Sequence, residues 1–180
     1  MVWYSFQLNF DISRQNVRKR LSAIDKAFRA ARKSALFGVR AGHGGPFGAA
    51  VLLDDKIIAV AHNTVLRDND PTAHAEINAL RKAARKLGAV HLDKCILIAT
   101  SEPCPMCHAA ILWARVRSTR FAVPIKAAAR VGFGDSLILR KIIKAKNPRR
   151  CRSCPIHDKA HEASCLTIFE EWQRRNAKLY

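Results

Sequence analysis

The feature that most constrains this chain is a pair of short motifs, His-Ala-Glu at 74–76 and Pro-Cys-Pro-Met-Cys at 103–107. The two cysteines are three residues apart at the predicted start of a helix, so their side chains share one face. His74 and Glu76 are two residues apart and diverge on a continuing helix, so they reach one site only if it lies beyond the helix start. The motifs together therefore require two helix N-termini that point at one place.

One histidine and two cysteines are typical zinc ligands, and three protein ligands leave the fourth tetrahedral position open, as in catalytic zinc sites. Zinc lowers the pKa of a bound water to near neutrality, and a neighbouring carboxylate can then accept its proton and pass it on. We assign the metal to His74, Cys104 and Cys107, and the proton transfers to Glu76, because a fourth protein ligand would close the site. The combination of H-x-E with P-C-x-x-C is typical of zinc-dependent nucleobase deaminases.

Hydrophobic periodicity predicts helices and strands in an alternating order. A first helix begins at Ser13, as its N-cap, and ends near Gly38 or Gly42, while Thr72 is the expected N-cap of the second. The predicted strands are 47–53, 57–61, 95–99 and 119–123, and the later helices are about 73–87, 104–114 and 158–178, with short helical pieces in 125–143. This order indicates one α/β domain.

Residues 54–56 are expected to form a tight hairpin turn between the first two strands. Both of these strands are nearly continuous apolar runs, so we expect the sheet to be covered on both faces. The apolar runs are too short to span a bilayer, and no signal-peptide pattern is present, so we expect a cytoplasmic protein without a membrane partner.

Charge is the unusual part of the composition. The chain has 32 Lys and Arg against 14 Asp and Glu, a formal net charge of +18. A surface of this kind attracts polyanions and predicts weak, non-specific, salt-dependent binding to nucleic acid. The simpler interpretation is a solvated basic surface, so charge alone does not select a substrate.

Several blocks of sequence resemble the cytidine deaminase superfamily, and within it bacterial guanine deaminases most closely. The blocks are AGHGGPFGAAV, NDPTAHAEINALRKA, SEPCPMCHAAILWAR, GFGDS and the terminal Tyr180. The resemblance runs over 27–180 and leaves 1–26 as a basic N-terminal extension. It implies a three-layer α/β/α sandwich with a five-stranded mixed sheet, and zinc-dependent hydrolysis of guanine to xanthine and ammonia. It also implies a homodimer in which a C-terminal segment, about 158–180, is swapped.

The same resemblance assigns roles to residues outside the zinc motifs. Asn63 is expected to hydrogen-bond the purine and Phe47 to pack against its ring. Asp135 matches the acidic residue that accepts the adjacent N1–H and 2-amino donors of guanine, and Tyr180 matches a tyrosine that enters the neighbour's pocket. Trp113 matches an aromatic residue near the swapped interface. Taken singly, Asn63 could instead cap a turn, Phe47 belong to the core and Asp135 cap a short helix.

Three alternatives to guanine deamination remain open. A tRNA adenosine deaminase shares DPTAHAEI and a basic surface, but typically has P-C-V-M-C and lacks the G-F-x-D-S block. This chain has Pro105 and Asp135, although Gly134 replaces the first Asp of the G-F-D-D form. A guanosine deaminase of similar build is the second alternative. The third is a catalytically idle zinc protein that binds RNA, which the intact zinc and glutamate motifs argue against.

A further cluster lies at 151–165, where the sequence is CRSCPIHDKAHEASC. A second metal site there would draw on Cys151, Cys154, His157, His161 and Cys165. Its spacing matches no common zinc-finger pattern, so we favour the simpler interpretation of a mixed stripe on the inner face of the last helix.

Overall fold

The computed structural model describes residues 22–134, together with residues 138, 140 and 174. The chain divides into two units, 1–134 and 135–180, and the first contains almost all of the described residues. Residues 22–40 are helical (α1). The elements that follow are β1 (Gly48–Leu53), β2 (Lys56–His62), α2 (Val65–Asp68), α3 (Ala75–Leu87), β3 (Cys95–Ser101), α4 (Pro105–Trp113), β4 (Ser118–Val123) and α5 (Ile125–Arg130).

The hairpin between β1 and β2 turns through two residues in the left-handed conformation, Asp54 with φ 47° and Asp55 with φ 61°. Positive φ at both central residues is the geometry that matches the twist of antiparallel strands in a two-residue turn, and Asp tolerates it better than most residues. Leu53 consequently pairs with Lys56. The predicted tight hairpin is confirmed.

The described strands form one mixed sheet in the order β2-β1-β3-β4. β1 is antiparallel to both of its neighbours, whereas β3 and β4 are parallel and are connected by α4. Parallel neighbours need a crossover, and α4 supplies it. The four predicted strands all form, and the mixed α/β architecture expected from the sequence is present.

Both faces of the sheet are covered, as the continuous apolar runs predict. Alternate residues of β1 point to opposite sides, so Ala50 and Leu52 pack with Ala27 and Ala31 of α1. On the other face, Ala49 and Val51 pack with residues of α3 and α4, among them Ala79, Leu80, Ala83 and Ile111. The many alanines let the helices lie close to the strands, and this closeness fixes where the helix ends fall.

One local expectation is corrected by the structure. Thr72 is not the N-cap of α3, because its amide and its Oγ1 both donate to Asp70 Oδ1 at 2.7 Å, and the helix begins two residues later with His74 as N-cap. The expected end of α1 near Gly38 or Gly42 is confirmed, because the helix ends at residue 40, between these two glycines. The segment at 64–71 contains the single-turn helix α2.

The predicted N-cap Ser13, the later part of 125–143 and the predicted helix at 158–178 lie wholly or largely outside the described residues. Within the part of the chain that the structure describes, no helix combines the length and hydrophobicity needed to cross a bilayer.

Gly48 lies at a close approach between α1 and the sheet, and it supplies a test of this packing. A Cβ at Gly48 would lie 2.1 Å from the carbonyl oxygen of Ala31, a backbone atom that cannot move aside. We expect Gly48→Ala to lower the free energy of unfolding by about 3 kcal/mol, at the upper end of overpacking effects, measured by urea denaturation. Gly88→Ala is the control, because no atom lies within 4 Å of its Cβ and only the left-handed φ of 60° opposes it. That change should cost about 1 kcal/mol, and equal losses in the two variants would contradict the packing argument.

Candidate active site

His74, Cys104 and Cys107 meet where α3 and α4 begin. His74 is the N-cap of α3, and Cys104 is the N-cap of α4, with its Sγ accepting the backbone N–H of Cys107 at 3.5 Å. Pro105 at the first position of α4 fits a helix start, where a backbone N–H is not needed. The two helix N-termini therefore point at one place, as the motif spacing requires.

The side chains at this place fit a tetrahedral metal ion. His74 Nδ1 lies 3.6 Å from Cys104 Sγ and 3.5 Å from Cys107 Sγ, and the three ligand atoms all lie within 4.8 Å of one another. Zn–N and Zn–S bonds of ordinary length at the tetrahedral angle place nitrogen and sulfur about 3.6 Å apart. The spacing and the N/S chemistry of the donors both match zinc.

The two thiols are electrostatically coupled. The pKa of Cys104 is lowered to about 4, mainly because the Cys107 thiol donates a hydrogen bond to it and also because His74 lies against it. The pKa of Cys107 is raised, because its proton is held in that bond and its side chain is buried. One sulfur therefore readily becomes a thiolate, and a cation is required to bring both to the ligand form.

Glu76 is the carboxylate of the site. It lies in the first turn of α3 and is only 7% exposed. Burial raises the pKa of its carboxyl above the usual range, while contacts with its own backbone amide, with His74 and with the Cys107 thiol oppose the shift. A buried carboxyl beside the metal ligands, with a raised pKa, suits a group that must both accept and release a proton.

Asn63 and Phe47 lie side by side at the ends of β2 and β1. The backbone N–H of Asn63 donates to the Phe47 carbonyl at 3.0 Å, and Asn63 is 4% exposed. Its Oδ1 accepts the N–H groups of Gly45 and Val65, both at 3.2 Å. Because the oxygen is engaged twice, the amide is oriented with Nδ2 as the group that remains to donate.

A cavity of about 210 Å³ adjoins Phe47. Phe47 packs edge-on against Phe133, with ring centres 5.0 Å apart. The lining is otherwise formed by Pro46, Thr100, Ser101, Val123, Ala127, Ala128 and Val131. Among the described residues, the side chains that line this cavity are apolar or small and uncharged.

Asn78 is a positioning residue that the sequence reasoning missed. Its Nδ2 donates to the His62 carbonyl at 3.1 Å, to Thr64 Oγ1 at 2.8 Å and to the Ala73 carbonyl at 3.2 Å. It thereby joins the end of β2 to the segment before α3, and so fixes Asn63 relative to the metal ligands. The available signal was its place one helical turn after His74, on the side of α3 that faces the site.

The remaining sequence-derived site residues stand as follows. Trp113, at the end of α4, is 80% exposed, and its neighbour Leu112 is 65% exposed. Asp135 and Tyr180 lie outside the described residues, as do all five residues of the possible second metal site, Cys151, Cys154, His157, His161 and Cys165. Among the described residues the structure brings together the three ligands and Glu76, and it pairs Asn63 with Phe47.

A sheet flanked by helices, with His, Cys and Cys ligands and a buried glutamate at two helix N-termini, defines a zinc-dependent hydrolytic deaminase. Residues 21–123 match the cytidine and deoxycytidylate deaminase zinc-binding region, and the chain belongs to this family.

Within the family, the chain is similar to a guanine deaminase and to a tRNA-specific adenosine deaminase. The chain is 46% identical to the guanine deaminase of Bacillus subtilis over 144 residues, which cover 79% of this chain and 90% of that protein. The crystal structure of guanine deaminase from Bacillus subtilis superposes with a TM-score of 0.75 at 43% identity, covering 87% of this chain and 98% of that one. A tRNA-specific adenosine deaminase of Aquifex aeolicus is 42% identical over 77 residues, 43% of this chain and 51% of its own.

Cys107 and Cys95 offer a matched test of the metal site, since both are at most 1% exposed and only Cys107 is at the site. We expect about one zinc ion per chain in the purified protein, a sharp loss of zinc and activity in Cys107→Ala, and full zinc content in Cys95→Ala. Metal analysis by mass spectrometry measures both. If the 151–165 cluster also binds zinc, the count approaches two and Cys154→Ser lowers it. Retention of zinc by a Cys104→Ala/Cys107→Ala double variant would rule out the assignment.

Proposed function

We propose that this protein hydrolyses guanine to xanthine and ammonia. The observation that carries the proposal is the site itself, a set of three zinc ligands with a buried glutamate in the first turn of α3. The extensive likeness to guanine deaminase supports the choice of substrate within the family.

His74, Cys104 and Cys107 would hold the zinc ion, which would supply a water acidic enough to act as a nucleophile at neutral pH. The Glu76 carboxylate would accept one proton of that water and pass it to N3 as the oxygen bonds to C2. It would then accept the second proton from that oxygen and pass it to the amino group, which leaves as ammonia while the C2 carbonyl of xanthine forms. The burial of Glu76 keeps bulk water from exchanging these protons, and its position beside two ligands keeps its oxygens near the reacting carbon. The balance of the reaction is guanine plus water to xanthine plus ammonia.

Recognition of the purine falls to four residues in this proposal. The Nδ2 of Asn63 donates to a ring acceptor, and its orientation is set by the two N–H groups on its oxygen. Phe47 packs on the ring, Asp135 accepts N1–H and the 2-amino group, and Tyr180 of a second chain closes the pocket. Adenine presents an acceptor at N1 and would leave the Asp135 carboxylate unmatched, which costs about 1–3 kcal/mol.

We further propose the assembly that the family likeness implies. The domain spans 27–180 after a basic extension, 1–26, and contains a fifth strand that completes a three-layer sandwich. Two chains form a dimer and exchange about 158–180. Exposed Leu112 and Trp113 support an interface at the end of α4, because these adjacent large side chains form a contiguous apolar patch, and such patches mark interaction sites. Purine metabolism in the cytoplasm is the corresponding setting.

A tRNA adenosine deaminase is the second candidate, and the observation in its favour is the net charge of +18. The described part of α3 carries Arg81, Lys82, Arg85 and Lys86 on its exposed side. Weak nucleic-acid binding on such outer faces is compatible with either substrate. The greater identity and coverage of the match to guanine deaminase favour the free base for the reaction itself.

Glu76→Gln tests the proton transfers. The amide cannot accept a proton, so turnover should fall by about 10²–10⁴-fold or more while zinc content and thermal stability stay close to those of the wild type. Glu102→Gln is the matched control, because Glu102 Oε2 only accepts the Ile125 N–H at 2.8 Å, and an amide oxygen can replace it. A Glu76→Gln enzyme with near-normal turnover would show that another group carries the proton.

Substrate choice is tested by ammonia release from guanine, guanosine, adenine, cytosine, cytidine and tRNA. We expect release from free guanine, changing little between low and moderate salt because the base is uncharged. Asp135→Asn should lose guanine turnover far more than zinc content or stability, whereas Asp55→Asn, in a hairpin turn that Asn also accepts, should be neutral.

The opposite pattern would establish the tRNA enzyme. Activity on tRNA alone should decline steeply with salt, because each neutralised phosphate adds to the salt dependence. Salt-dependent activity on tRNA alone, together with an Asp135→Asn variant that behaves like the wild type, would overturn the guanine assignment. Equal turnover of guanosine would instead show that the mouth of the pocket admits a ribose.

A further inference from the structure

A hydrogen-bonded pair of histidines lies next to the proposed purine site and is not used by the chemistry described above. His43 Nδ1 lies 2.9 Å from His62 Nε2, and His62 Nδ1 lies 3.0 Å from Ser34 Oγ. The ring centres are 5.2 Å apart with 21° between the planes. An imidazole nitrogen lies about 1.1 Å from its ring centre, so this spacing is that of two rings end to end, joined by one N–H···N bond.

The surroundings of the pair are built to hold these rings. Gly38 lies within α1, where glycine is unfavourable by about 1 kcal/mol relative to alanine. A Cβ at Gly38 would lie 2.4 Å from His62 Cδ2, so glycine is required for the ring to approach the helix. Phe37 covers both rings edge-on, with centroid distances of 5.7 Å to each. The pair is therefore a specific contact between α1, the loop after it and β2.

The geometry sets how many protons the pair can hold. The facing nitrogens of His43 and His62 share one hydrogen, so one ring donates and the other accepts. One further proton fits on an outer nitrogen without disturbing this bond, but charging both rings places N–H against N–H at 2.9 Å. The fully protonated pair must therefore separate.

The charges around His62 act in the same direction. The pKa of His62 is lowered from its ordinary 6.5, first by burial and then by His43, by Arg67 of α2 and by Lys82 of α3, while Asp68 opposes them. A histidine whose pKa is lower in the folded chain is bound in its neutral form. The stability that this neutral pairing provides is present at neutral pH and is lost as the pH falls below about 6.5.

The pair is mechanically connected to Asn63. His62 is its neighbour in the chain, and the His43 carbonyl accepts the N–H groups of Leu66 and Arg67 at 3.1 Å on the far side of Asn63. Two residues after His43, the Gly45 N–H donates to Asn63 Oδ1. The 43–47 loop, which leads into Phe47, is thus held against the 62–67 segment by bonds on both sides of the Asn63 amide.

We propose that His43 and His62 are positioning residues for purine binding: their shared hydrogen holds the Gly45 turn on Asn63, and double protonation releases it. The inference rests on the proposed function. It predicts that the enzyme loses affinity for its purine in mild acid while the metal site and the proton transfers stay intact.

The test compares His43→Ala, which removes the bond, with His43→Asn, whose side-chain amide replaces Nδ1 and does not titrate. At pH 7.5, His43→Ala should raise KM for guanine about 3- to 10-fold and change kcat less than about twofold, in keeping with one lost hydrogen bond. Between pH 7.5 and 5.5, the wild-type KM should rise, whereas that of His43→Asn should stay nearly constant. His91→Ala, a half-buried histidine in the loop between α3 and β3, should follow the wild type.

Hydrogen exchange at the Gly45 amide provides a readout that needs no substrate. In zinc-loaded protein, the protection factor of this amide should fall in His43→Ala and in the wild type at pH 5.5, and should persist in His43→Asn. If the protein shows this exchange pattern but does not deaminate guanine, the proposed function is refuted, whereas the role of the histidine pair in holding the Gly45 turn on Asn63 is retained. Unchanged protection in His43→Ala, or a wild-type KM that does not vary with pH, would overturn the inference.

Discussion

The convergence of two helix N-termini on one point is the constraint on which the rest of this molecule depends. His74 caps α3 and Cys104 caps α4, so the metal ligands are placed by the ends of helices rather than by flexible loops. Those ends are fixed in turn by the close packing of α3 and α4 on one face of the sheet. Free N–H groups at a helix start favour a nearby negative charge, which is the state that a sulfur ligand must adopt.

The same arrangement explains why one glutamate can serve a site that it does not ligate. Glu76 follows His74 by two residues, and on a regular helix it would face away from it. Because the helix begins between them, both side chains reach the end of α3. If α3 began one turn earlier, His74 and Glu76 would point in different directions. The hydrogen bonds of Thr72 to Asp70 prevent this earlier start.

The sequence was sufficient to predict features that depend on short spacings. The zinc ligands, the Asp54–Asp55 turn and the four strands all follow from patterns within a few residues. It was insufficient where a distant partner decides the outcome. Thr72 is a good capping residue in isolation, but the competing bond to Asp70 takes its hydroxyl. Gly38 lies inside α1 because only glycine leaves room for the ring of His62, which is 24 positions later in the chain. The three hydrogen bonds of Asn78 could not be predicted for the same reason, because their acceptors lie elsewhere in the chain.

One consequence of the ligand layout concerns the entropy of the unfolded chain. The ligands that meet at the site lie 30 and 33 positions apart, with β3 between them. An ion bound there ties α3 to α4 across that strand and closes a long loop, much as a covalent cross-link would. An isolated Cys-x-x-Cys binds metal weakly, so tight binding of the ion requires that α3 and α4 have already packed on the sheet. A bound ion would therefore act as a cross-link as well as a catalyst, and its loss would lower the free energy of unfolding as well as the activity.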